Sequence, residues 1–112
     1  MIRLLLRVGD NPELQEFSGD LIRIGRASMN DLVIADPRVS RLHARIGRAG
    51  DGIQVVDLKS GNGTRVNGEK IGSCRLRVGD ALQIGPMRLL VVHVDVTPAL
   101  RFRRKPRLLS PV

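Results

Sequence analysis

His43-Ala44-Arg45-Ile46-Gly47-Arg48-Ala49-Gly50-Asp51-Gly52-Ile53-Gln54-Val55 decides the fold class. Apolar and polar residues alternate with period 2 at its two ends, His43–Ile46 and Ile53–Val55, the pattern of half-buried strands. Between them Gly50-Asp51-Gly52 supplies backbone conformations that a tight turn needs at low steric cost. The same pattern recurs outward, at Leu21-Ile22-Arg23-Ile24 and at Leu82-Gln83-Ile84. Further turn signals lie at Ser60-Gly61-Asn62-Gly63, Asn67-Gly68, Gly79-Asp80 and Gly85-Pro86. Nowhere does a 3.6-residue apolar period persist for three turns, so an all-β, two-sheet antiparallel sandwich with little or no helix is expected.

The chain has 112 residues, enough for one core. Leu89 to Val96 reads as a final strand, buried on both faces before it reaches an edge, and the domain is expected to span 1–96. Beyond it, 97–112 carries Arg101, Arg103, Arg104, Lys105 and Arg107 with no acid, punctuated by Pro98 and Pro106. A mobile basic tail is expected there. The body holds the other 14 of 19 basic residues beside all 11 acids, so the net charge of +8 is divided into +3 and +5.

Several classes are excluded or disfavoured by the same sequence. Cys74 is the single cysteine, which rules out an internal disulfide and a multi-cysteine metal site and suggests a reducing, cytoplasmic setting. Met1 to Val8 has too short an apolar run and no cleavage pattern for a signal peptide. No stretch approaches the roughly 20 apolar residues of a spanning helix. Phe17 and Phe102 are the only aromatics, leaving almost nothing on which bases could stack, so nucleic acid is a poor partner. No nucleophile with its base, acid/base pair or nucleotide loop is present, and neither a cofactor nor a catalytic residue is expected.

A sandwich gathers its loops at two ends, so distant polar groups can converge. Three loops stand out: Gly25 to Asp31, Ser40 to His43, and Asp57 to Thr64. A phosphate requires a planar guanidinium, hydroxyl and backbone donors, and little competing negative charge. Arg26, Ser40 and Arg41 supply that set, and Asn62 offers a donor and an acceptor for an extended peptide. Each also has an ordinary reading: Arg26 as a solvated cation, Ser40 as a turn hydroxyl, Asn62 as a left-handed turn residue.

Taken together these motifs resemble the forkhead-associated (FHA) domains, β-sandwiches that read phosphothreonine peptides. The resemblance runs through Gly25-Arg26, Asn30-Asp31 with Leu32-Val33-Ile34, Val39-Ser40-Arg41-Leu42-His43, Asp57 to Thr64, Val66-Asn67-Gly68, and Leu76 to Asp80 with Ile84-Gly85. It implies a non-enzymatic, phosphothreonine-dependent signalling module whose partner is a phosphothreonine-bearing protein, a substrate of a Ser/Thr kinase. It also implies that Arg26 and Ser40 are the principal phosphate ligands, with Arg41 in support. Asn62, Gly61, Ser60 and Asn30 would face the peptide, while Gly25, His43, Gly63 and Thr64 would support the site, the His43 ring fixing the loop that carries Ser40. Where many relatives have Thr or Ser before Asn62, this chain has Gly61, so the Gly61 N–H or the Ser60 hydroxyl is expected to replace that donor. A monomer is expected. Two other readings stay open at this stage: a phosphorylation-independent docking scaffold of the same fold, and nucleic-acid binding through the basic tail.

Overall fold

The computed structural model describes residues 1–97. All of the tail after Thr97, including its five basic residues, lies outside the described residues. Eleven strands form among them: β1 (Ile2–Val8), β2 (Leu14–Gly19), β3 (Leu21–Gly25), β4 (Leu32–Val33), β5 (Ala44–Ala49), β6 (Gly52–Asp57), β7 (Thr64–Val66), β8 (Glu69–Ile71), β9 (Ser73–Leu76), β10 (Ala81–Ile84) and β11 (Met87–Val96). They make two sheets. Sheet A has the order β2-β1-β11-β10-β7-β8, and sheet B the order β4-β3-β5-β6-β9. Among the described residues no helix is long and apolar enough to cross a membrane.

The alternating stretches form strands as their periodicity predicts. In β3, Ile22 and Ile24 turn inward and Arg23 outward. Ala44 and Ile46 of β5 and Ile53 and Val55 of β6 do the same. They meet Leu4, Leu6, Leu82, Ile84, Leu89 and Val91 from sheet A in one apolar cluster. Asn67 (φ 51°) and Gly68 (φ 89°) form the two-residue turn between β7 and β8; such primed turns need positive φ at both positions.

Two features depart from the sequence expectation. β11 is not buried on both faces: Leu89 and Val91 are buried while Leu90 and Val92 are half-buried. Its apolar run reflects a central place between β1 and β10, with one face on the core and the other only partly covered. Nor is every pairing antiparallel, since β3 and β4 run parallel, Ile24 opposite Leu32 and Gly25 opposite Val33. That pair turns the chain back beside the end of β3 and so shapes the loop that follows Gly25.

Candidate functional site

The three polar loops converge at one end of sheet B. The segment leaving β3 is laced to the β4–β5 segment by Arg26 N–H to Ser40 C=O (3.0 Å) and Ala27 N–H to Arg41 C=O (3.1 Å). The third loop joins through Leu58 N–H to His43 C=O (2.9 Å). Close approach is permitted by Gly25, where a Cβ would collide with the Arg41 carbonyl. Arg26 and Ser40 therefore share one rim.

Each of these side chains is held by groups that leave part of it free. Arg26 Nε donates to the Val39 carbonyl at 3.0 Å. This fixes the guanidinium plane while its two terminal nitrogens keep their donors. Ser40 Oγ accepts the Gly61 N–H at 3.0 Å, so its own proton remains available. Arg41 is exposed, and among the described residues no carboxylate forms an ion pair with it or with Arg26. Asn62 is exposed too; its Nδ2 donates to the Arg38 carbonyl at 2.8 Å, which leaves Oδ1 to accept.

Beneath these groups lies a buried frame. Val39, next to Ser40, is 1% exposed, and His43 and Thr64 are fully buried. The Ser40 N–H donates to His43 Nδ1 (3.0 Å), so that nitrogen is the acceptor and Nε2–H donates to the Gly63 carbonyl at 2.9 Å. One imidazole thus ties the Ser40 loop to the loop that carries Asn62.

Asn30 and Ser60 do not face outward with the others. Asn30 is 8% exposed, and its Nδ2 donates to the carbonyls of Ala27 and Arg41, both at 2.8 Å. The Ser60 hydroxyl donates to Asp57 (2.6 Å) and accepts the Gly63 N–H (2.9 Å). Asp57, in the sequence one member of the Asp57–Thr64 motif with no role of its own, is the hub of this loop: it also accepts from the Ser60 N–H (3.1 Å) and the Thr64 hydroxyl (2.8 Å). Burial pushes the Asp57 carboxyl up, but the bonds from Ser60 and Thr64 outweigh it and hold it below the ordinary aspartate range. An Asp three residues before a Ser at the end of a strand was the available signal for this role.

Residues 22–85 match the family model of the FHA domain. The chain belongs to the FHA domain family. FHA relatives include the oxoglutarate dehydrogenase inhibitor of Corynebacterium jeikeium, 45% identical over 62% of this chain and 48% of that protein. Another is the glycogen accumulation regulator GarA of Mycolicibacterium smegmatis, 46% identical over 59% of this chain and 42% of its own length. The chain therefore spans less than half of each. A solved structure described as phosphothreonine-dependent FHA domain interactions superposes with a TM-score of 0.72 at 26% identity, covering 87% of this chain and 99% of that one.

Proposed function

We infer that Arg26 and Ser40 form the receptor for the phosphate of a phosphothreonine, with Arg41 as a second cation and Asn62 holding the peptide main chain. The observation that carries this is the division of labour at Arg26 and Ser40. Each uses one group to fix itself in the loop and presents the remaining donors outward without a competing carboxylate. Charge-assisted bonds from guanidinium and hydroxyl to phosphate oxygens are the strong ones, and a fixed geometry loses little entropy on binding. Asn30, Ser60, Thr64 and His43 act on the loops rather than on the ligand. Gly61 contributes by orienting the Ser40 hydroxyl through its N–H.

The partner in this reading is a protein phosphorylated by a Ser/Thr kinase, and the module regulates it by binding, with no chemistry of its own. Two relatives whose names describe an inhibitor and a regulator support that mode of action. A cytoplasmic setting agrees with the free thiol of Cys74, and the domain acts as a monomer. Packing of the ligand's γ-methyl in a small pocket favours threonine over serine by about fourfold, the worth of one buried methyl.

An oriented peptide library with phosphothreonine, phosphoserine and unphosphorylated members tests this reading. Phosphothreonine-dependent capture, lost in Arg26→Ala, is expected. Capture of partners that survives both phosphatase and Arg26→Ala would instead identify a phosphorylation-independent scaffold.

A further inference from the structure

The outer face of sheet A carries cations that the phosphate-binding loops leave unused. Register places Lys70 of β8 opposite Arg65 of β7, Arg65 opposite Gln83 of β10, and Gln83 opposite Arg88 of β11. Directly opposed residues share a face, and all four side chains are exposed. Their chain neighbours Val66, Leu82, Ile84 and Leu89 are buried on the other side. With strands about 4.8 Å apart the line is roughly 14 Å long, the reach of about four extended residues.

Like charges set opposite one another destabilise a sheet. Lys70 has an architectural reason to be there, because β8 is an edge strand and an edge lysine discourages strand addition. Arg65 and Arg88 lie on interior strands, where that reason is absent. Among the described residues none of the three pairs with a carboxylate. On the same sheet Arg3 is held by both Glu16 and Asp95, so pairing is available to this fold and is withheld along the row. Glu69, the nearest acid in sequence, alternates to the opposite face.

The row begins beside Asn62. Arg38, Asn62, Gly63, Arg65, Gln83 and Gly85 line one cleft of about 290 Å³, and the Lys70 stem crosses Gly63 so closely that a Cβ there would strike it. We propose that Lys70, Arg65 and Arg88 dock an acidic stretch of the same protein that carries the phosphothreonine, laid across β7, β10 and β11 as it leaves Asn62. The proposal rests on the phosphothreonine reading above and adds the chemical class of the partner's flanking segment.

The test is fluorescence anisotropy of the full chain with phosphothreonine peptides identical near the modified residue and extended on either side by Asp/Glu or by Gln/Asn. The acidic extension on one side is expected to tighten binding about five- to tenfold at low ionic strength, as three exposed charge pairs would, and the gain should fade in high salt. Arg65→Gln/Lys70→Gln/Arg88→Gln should erase the gain while leaving the affinity for the neutral peptide within about twofold. Gln83→Glu, which sets a carboxylate in mid-row, should erase it independently. A gain that persists in both variants, or no gain in the unaltered chain, overturns the proposal. So does unchanged acidic preference in the triple variant together with lost binding to phosphatidylserine vesicles or duplex DNA, which would give the row to a different partner. Failure to distinguish phosphorylated from unphosphorylated neutral peptide is a separate readout; it overturns the phosphothreonine reading, and this proposal with it.

Discussion

The Gly61 N–H donates to the Ser40 hydroxyl oxygen at 3.0 Å, joining two loops 21 residues apart. The bond holds Ser40 Oγ in place and leaves its proton directed elsewhere. Ser40→Ala removes that proton and frees an exposed N–H that water can satisfy, so binding suffers more than folding. Ser40→Ala and Arg26→Ala are each expected to weaken a phosphothreonine peptide by about 2 kcal/mol, roughly thirtyfold. Calorimetric titration measures this, and the thermal midpoint should move by only a few degrees. Equal loss of midpoint in these variants and in His43→Ala would show that all three residues are merely architectural.

His43 belongs to the frame, and its replacement should read differently. With the ring gone, the Ser40 N–H and the Gly63 carbonyl lose their buried partner and a void opens between two loops. Each orphaned group costs about 1–3 kcal/mol, so His43→Ala should lower the midpoint by roughly 10 °C or more for a domain of this size. Peptide affinity should fall as well, since Ser40 and Asn62 lose their common anchor. Thermal unfolding and titration on the same sample test both effects.

The strands were legible because Ile22, Ile24, Ile46, Ile53 and Val55 alternate with polar neighbours, and a one-residue slip would carry the whole set into water. That the loops carrying Arg26, Ser40 and Asn62 meet at one rim was legible because a sandwich gathers the turns between its strands at its ends. Asn30 and Ser60 show where a sequence falls short. A short polar side chain on a loop can turn to a ligand or back to its own chain, and only the carbonyls of Ala27 and Arg41, or the carboxylate of Asp57, decide which. The parallel β3–β4 pair was hidden for a related reason: two residues, Leu32 and Val33, carry too little periodicity to show direction.

Gly61 lies outside the left-handed region, and the nearest atom to a Cβ placed on it is Ser40 Oγ, at 3.9 Å. Side chains are therefore tolerated there. Gly61→Ala should raise stability by about 0.4–1 kcal/mol through the unfolded chain, with no gain in affinity. Gly61→Thr adds the hydroxyl that many FHA domains place at this point, and one added hydrogen bond of about 1 kcal/mol should tighten the phosphopeptide roughly fivefold. Titration of the pair against the parent separates the two effects; equal affinities for Ala and Thr would show that the added hydroxyl does not reach the ligand.

Acid should act on this domain in two separable steps. The phosphate's second pKa is about 6, and contact with Arg26 favours the dianion, so affinity is full above that value and declines as pH falls below it. Asp57 titrates lower. Its folded pKa lies beneath the ordinary 3.8, because the Ser60 and Thr64 bonds overcome the effect of burial. The stability it contributes is therefore complete above the unfolded value and is lost as pH drops through the folded one. Between about pH 4.5 and 5.5 the domain should remain fully folded while binding weakly, and below pH 4 the midpoint itself should fall. Asp57→Asn should remove Asp57's share of that acid sensitivity, at a cost of about 1–3 kcal/mol at neutral pH, since one carboxylate oxygen that accepts from the loop becomes a donor. Thermal midpoints and affinities measured from pH 3 to 8 on both proteins decide the point: an unchanged acid slope in Asp57→Asn would place the sensitive carboxylate elsewhere.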